Sequence, residues 1–83
     1  MFDVENYGKR LKAARKSKKL TQKQVAEDLG ITLRAYSEYE RNNVIPRGID
    51  KIVALAEYFD VSLDWLLRGE IMLTFKTYDN ETN

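Results

Sequence analysis

The segment from Ile31 to Asn42 has two chemically different sides when its residues are placed on a helical wheel. One side carries an alanine and two tyrosines and is suited to burial. The opposite side carries basic, carboxylate and hydroxyl groups and consists of Leu33, Arg34, Ser37, Glu38 and Arg41. A helix with such a side can read base edges in the major groove of DNA, which is wide enough to admit it. A solvated amphipathic helix explains the same pattern equally well, so the neighbouring sequence has to decide between them.

Capping signals place this segment second in a pair of short helices. Thr21 with Gln24 three positions later matches a capping box, so we expect helix two to open at Thr21. Gly30 suits the left-handed residue that ends a helix. Thr32 can accept a free N–H at the start of helix three. Two short helices joined across a glycine are typical of a helix-turn-helix.

Apolar residues at helical spacing predict three further helices. Helix one begins between Asp3 and Asn6 and runs to about Lys18. Helix four covers Ile49 to Phe59, and Ser62 caps helix five. We predict an all-α fold whose core consists of Tyr7, Leu11, Val25, Leu29, Tyr36, Tyr39, Ile52, Ala56, Phe59 and Leu66, with Ile49 and Val53 also facing inward.

A charged residue lies on the buried side of helix one. Arg15 falls only about 40° from Leu11 on the wheel. A buried charge is costly unless it is paired or its stem reaches outward to solvent. Because Glu40 lies at the edge of the buried side of helix three, we predict an ion pair between Arg15 and Glu40. An unpaired Arg15 that extends to solvent is the alternative.

The 83 residues contain no cysteine and no histidine. Disulfides, thiolate metal sites and the commonest general base are therefore excluded, and the remaining polar residues suggest no catalytic centre. We expect no enzyme activity, no cofactor, no metal and no small-molecule ligand. The chain start lacks the features of a secretion signal, and no stretch has transmembrane length, so we expect one small cytoplasmic domain.

Charge is distributed unevenly although the net charge is only +1. Residues 1–47 hold eleven Lys and Arg against six Asp and Glu, whereas residues 48–83 hold three against seven. Between Lys9 and Lys23 there are eight basic residues and no acidic one. This asymmetry favours one end of the molecule that faces an anion, although a basic run is also compatible with a solvated surface.

Several short stretches between Leu11 and Leu67 form one combined pattern: Thr21-Gln22, Val25-Ala26, Gly30-Ile31-Thr32, Tyr36-Ser37, Tyr39-Glu40-Arg41 and Val61 to Leu67. In this pattern the chain resembles the XRE-type helix-turn-helix domain of the Cro and repressor proteins of lambdoid phages and their bacterial relatives. The resemblance implies a five-helix, lambda-repressor-like fold. It also implies sequence-specific binding to double-stranded operator DNA by a homodimer, in most relatives as a transcriptional repressor.

The resemblance assigns roles to individual positions. Base edges would be contacted by Thr32, Leu33, Arg34, Ser37 and Glu38, with Ser37 at the margin. Phosphates would be contacted by Thr21, Gln22, Arg41, Asn43 and Arg47. Leu33 stands where relatives often have a polar residue, so it either presses on a thymine methyl or leaves that base unread. Arg34 suits either a bidentate guanine contact or the DNA backbone, Glu38 suits a cytosine amino group, and Arg15 with Glu40 matches the interhelical ion pair of the family.

The last residues differ from the rest of the chain. Ile71, Leu73 and Phe75 alternate with less apolar residues, which predicts a strand rather than a helix. We therefore divide the chain into a helix-turn-helix domain, residues 1–69, and a C-terminal tail, residues 70–83. The tail folds back, pairs with a second subunit or stays mobile, and we favour a dimer contact. The alternative function for the whole chain is a protein-interaction module, such as an antirepressor or partner-neutralising subunit, built on the same scaffold.

Overall fold

The structure is a computed structural model, and it describes residues 4–42 and 44–69. All regular structure in these two ranges is helical. The helices are α1 (Val4–Ser17), α2 (Gln22–Leu29), α3 (Leu33–Arg41), α4 (Ile49–Phe59) and α5 (Leu63–Arg68). This confirms the predicted five-helix, lambda-repressor-like architecture. The strand predicted at Ile71, Leu73 and Phe75 lies outside the described residues, as does Asn43.

Side-chain hydroxyls begin three of these helices. Thr21, Thr32 and Ser62 each accept a hydrogen bond from the backbone N–H three residues later. At α2 the box is complete, since Thr21 Oγ1 lies 3.1 Å from Gln24 N and Gln24 Oε1 lies 2.8 Å from Thr21 N. Gly30 ends α2 with φ of 71°, in the left-handed region. The predicted helix starts and the glycine turn are therefore confirmed.

The core lies where α1, α3, α4 and α5 meet around the buried middle of α2. The fully or nearly buried apolar residues are Tyr7, Leu11, Ala14, Val25, Ala26, Tyr36, Ile52, Leu55, Ala56, Phe59 and Leu66. Leu29, Tyr39 and Val53 are half-buried and pack against this cluster. Most of the predicted core is thus confirmed, and Leu55 is a member that the sequence analysis missed.

Ile49 was predicted to face inward, and this prediction is wrong because its exposed fraction is 72%. Ile49 is the first residue of α4, directly after Gly48 with φ of 90°. Side chains on a helix tilt toward its N terminus. The Ile49 side chain therefore extends past the end of the packed stripe, which begins one turn later at Ile52.

Helix α3 is held from two sides, because it packs against both α1 and α2. Helix α5 packs against α1 and α4 and so brings the two ends of the described chain together. None of the helices in the described ranges is both long enough and apolar enough to span a membrane. The packing of α3 against α1 and α2 therefore determines which side of α3 is buried and which side is open.

Candidate nucleic-acid interface

The outer side of α3 is open in the structure. Tyr36 is completely buried, whereas Thr32, Leu33 and Arg34 on the opposite side are exposed. Leu33 has an exposed fraction of 47%. Arg34 makes no hydrogen bond or ion pair with any other described residue, so its guanidinium has five donors available to a ligand.

Glu38, on the same side, is already engaged by its own helix. Its Oε1 accepts a hydrogen bond from Asn42 Nδ2, and its Oε2 lies 3.9 Å from Arg41 Nη2. Two donors thus surround a carboxylate that is one-third exposed. The amide dipole of Asn42 and the positive charge of Arg41 reduce the repulsion between this carboxylate and an approaching polyanion.

An ion pair joins α1 to α3 beneath this surface, between the two residues for which it was predicted. Arg15 Nε lies 2.7 Å from Glu40 Oε2 and Arg15 Nη2 lies 3.1 Å from Glu40 Oε1. Only 10% of the arginine side chain and 4% of the glutamate side chain are exposed. A third donor, Nη1, contacts the Leu20 carbonyl at 2.9 Å. This bidentate geometry fixes the angle between the two helices.

The pKa values of both partners follow from these contacts. The hydrogen bond to Glu40 raises the pKa of Arg15, against the opposing effect of burial. Burial alone would raise the pKa of Glu40, but the hydrogen bonds that it accepts from Arg15 and other donors lower it below its ordinary value. Both groups are therefore charged at neutral pH.

Gln22 extends the ion pair toward the protein surface. Its Nε2 donates to Glu40 Oε1 at 2.9 Å, and its Oε1 accepts from Ser37 Oγ at 2.8 Å. The amide is held at both ends, by two residues of α3. One N–H of the amide stays available, because Nε2 has two hydrogens and Glu40 takes one. Residues predicted to contact bases and phosphates are therefore hydrogen-bonded to each other.

Comparison with known proteins places this arrangement in a family. Residues 8–70 match the helix-turn-helix domain family. The chain belongs to the XRE-type helix-turn-helix family. It is 44% identical over 64 residues to the HTH-type transcriptional regulator YqaE of Bacillus subtilis, a match that covers 77% of this chain and 54% of YqaE.

Two further relatives carry more informative names. Repressor protein C2 of Salmonella phage P22 is 32% identical over 77 residues, which are 93% of this chain and 35% of C2. The HTH-type transcriptional activator BcrR of Enterococcus faecalis is 31% identical over 77 residues, which are 93% of this chain and 37% of BcrR. The chain therefore spans about half the length of YqaE and less of the other two.

The other residues expected at an interface of this helix-turn-helix family are distributed around α2 and α3. The Thr21 and Thr32 hydroxyls serve as helix caps, and Thr21 Oγ1 also donates to Gln24 Oε1 at 3.2 Å. Arg41 has a side chain that is 69% exposed, and Arg47 is exposed in the connection between α3 and α4. Arg47 is exposed and Arg41 is exposed beside Glu38, whereas the hydroxyls of Thr21 and Thr32 are already engaged in capping.

Sequence reasoning missed two polar contacts that support the helix-turn-helix from behind. Arg10 is buried, and its Nε donates to the Leu66 carbonyl at 2.8 Å. Its position three residues after Tyr7 places it on the buried stripe of α1, a signal that the surrounding basic residues obscured. Tyr58 donates to Asp28 Oδ2 at 2.6 Å and so ties α4 to α2. Burial, followed by this hydrogen bond, raises the pKa of Tyr58 to about 12.

Proposed function

We propose that this domain binds double-stranded DNA in a sequence-specific manner and regulates transcription, with α3 in the major groove. The observation that supports this most directly is the division of α3 into a buried tyrosine side and an open side with an uncommitted Arg34. The relatives support the same function, since YqaE is named a transcriptional regulator, C2 a repressor and BcrR a transcriptional activator. We favour repression, the activity named for C2.

Within this proposal, the open side of α3 selects the sequence. Arg34 donates two hydrogen bonds to guanine O6 and N7, and Leu33 packs on a thymine methyl group. Glu38 accepts from a cytosine amino group once Asn42 releases its oxygen. Thr32 is assigned to a base edge as well, and the resemblance to the family puts Ser37 only at the margin of this surface.

Affinity comes mainly from phosphates. The donors that we assign to this role surround the open side of α3 and are Thr21, Gln22, Arg41, Asn43 and Arg47. The excess of basic residues in the first half of the chain adds a favourable potential. Since each neutralised phosphate releases counterions, binding should weaken steeply with salt, with a slope of about −0.9 per phosphate contact.

A selection of bound sequences from a random DNA pool, followed by fluorescence anisotropy titrations, tests this function. Arg34→Ala should relax the preference at one base position and cost about 1–3 kcal/mol there. Gln22→Ala should weaken all sequences alike. Arg68→Ala, which removes the same charge from α5, is the matched control and should leave the selected sequence unchanged. If Arg34→Ala leaves both affinity and preference intact, the assignment of α3 is wrong.

The second candidate is a protein-interaction module, favoured by three exposed apolar side chains, Leu33, Val44 and Ile49. A gel shift with random-sequence DNA at low salt separates the two functions. Absence of any retardation would favour the protein partner, because non-specific phosphate binding is the minimum that a DNA-binding domain shows.

We further propose a homodimer on a roughly palindromic operator, in the cytoplasm where that DNA lies. A two-fold dimer places two copies of α3 one helical turn of DNA apart, about 34 Å. Sedimentation of the protein with a single half-site and with the full operator measures the stoichiometry. One chain on the full site at saturation would contradict the dimer.

A further inference from the structure

We propose that Ser37 is a positioning residue that orients the Gln22 amide for a DNA phosphate and contacts no base itself. The proposal rests on the DNA-binding function given above and deepens it by assigning a role to one side chain. It would move Ser37 from sequence selection to sequence-independent affinity.

The first support is the direction of the Ser37 hydrogen bond. Ser37 Oγ donates its only proton to Gln22 Oε1 at 2.8 Å, across fifteen positions of sequence and from α3 to α2. The Ser37 residue is half-buried, unlike Thr32, Leu33 and Arg34 on the open side of the same helix. A hydroxyl has one donor, so a base acceptor would have to compete with an interhelical bond that already exists.

The second support is the torsional freedom of a glutamine amide. Rotation about the terminal sp³–sp² torsion of glutamine is broad, so one hydrogen bond leaves the plane of the amide free to turn. Glu40 supplies one fixed point at Nε2, 2.9 Å away, and Ser37 supplies the second at Oε1. Two fixed points define the plane of the amide and with it the direction of the remaining N–H.

The third support is the rigidity of the groups behind Gln22. Glu40 is itself fixed by two hydrogen bonds from Arg15, with only 4% of its side chain exposed. The Gln22 amide therefore stands on a buried base rather than on a mobile surface side chain. Ordering such a side chain before binding removes an entropic cost of association, equivalent to about three- to tenfold in affinity.

The free protein provides the first arm of the test. Relaxation of the Gln22 side-chain ¹⁵N resonance is measured in the parent, Ser37→Ala, Ser37→Thr and Ser17→Ala proteins. We expect the amide order parameter to fall in Ser37→Ala and to recover in Ser37→Thr, which keeps the hydroxyl. Ser17→Ala is the control, since Ser17 donates to the Ala14 carbonyl and not to Gln22. An amide that stays equally ordered in Ser37→Ala overturns the proposal.

DNA titrations provide the second arm, with the selected operator and a random duplex as probes. Ser37→Ala should weaken binding to both duplexes by the same factor, about three- to tenfold, and should have no further effect in a Gln22→Ala background. A loss confined to the operator, or a loss that adds fully to that of Gln22→Ala, would identify Ser37 as a base contact and overturn the proposal. Failure of the proposed function looks different, because the parent protein itself would then bind neither duplex, and the role of Ser37 would fall with it.

Discussion

Removal of Glu40 should be among the most destabilising single changes in this domain. In Glu40→Leu the Arg15 guanidinium loses two of its three hydrogen bonds and keeps only the one to the Leu20 carbonyl. Its side chain stays 90% covered in the parent packing, so water cannot replace the lost carboxylate. Breaking a buried pair by removing one partner costs about 3–5 kcal/mol. The total stability of 83 residues is only about 4–12 kcal/mol, so the loss should be evident.

The double variant Arg15→Met with Glu40→Leu distinguishes the two contributions to this loss. Replacing both members of a buried pair by apolar residues of similar volume is often neutral. We therefore expect the double variant to recover most of the stability, although Gln22 and the Leu20 carbonyl lose a partner. Denaturant unfolding followed by far-ultraviolet circular dichroism gives the free energies, and the double-mutant cycle gives the coupling between the two sites.

An exposed ion pair provides the control. Arg68 Nη1 lies 3.2 Å from Asp64 Oδ1, but both side chains are more exposed than the buried pair. Asp64→Ala should therefore cost no more than about 1 kcal/mol. The reasoning is refuted if Glu40→Leu costs as little as this control, or if the losses of Arg15→Met and Glu40→Leu simply add in the double variant.

Three further changes test other contacts. Because the pKa of Glu40 is lowered from 4.5, its contribution to stability is present above pH 4.5 and is lost as the pH falls through the lowered pKa. In the double variant Arg15→Met with Glu40→Leu, denaturant titrations should therefore show a free energy of unfolding that falls less steeply as the pH is lowered. Gly69→Ala and Gly30→Ala both put a side chain at positive φ, 78° and 71°, so thermal melts should show about 1 kcal/mol of stability lost in each. Only Gly69→Ala should show a further loss, because its Cβ lies 2.9 Å from Arg10 Nη1 whereas that of Gly30→Ala meets open space. Tyr58→Phe should cost about 0.5 kcal/mol below pH 10, and this difference should vanish as pH rises toward the Tyr58 pKa of about 12, which absorbance of the phenolate reports directly.

Features encoded within a few residues were predictable from the sequence. The capping box at Thr21, the turn at Gly30 and the cap at Ser62 depend on neighbours three or four positions away. The Arg15–Glu40 pair was predictable across a larger separation because a charge on a buried stripe requires a partner. In that case the prediction depended on the cost of an unpaired buried charge and not on residues close in sequence.

Features decided by tertiary packing were not predictable. Helical spacing places both Ile49 and Leu55 near the inner side of α4, but only packing against the other helices determines that Leu55 is buried and Ile49 is not. The helical wheel places Ser37 on the open side of α3, because a wheel cannot show that the side-chain amide oxygen of Gln22, on α2, accepts its hydrogen bond. The hydrogen bond from Arg10 to Leu66 spans 56 positions, beyond the range of any periodicity.

That long-range bond has a consequence for the order of events on the ribosome. Helix α1 is synthesised first, yet the carbonyl that receives its buried Arg10 belongs to α5, the last helix described. Until Leu66 has left the exit tunnel, this acceptor is missing and the hydrogen bond between the first and the last described helix cannot form. The contact of α1 with α5 should therefore be completed only late in translation, after the contacts of α1 with α3 can already form.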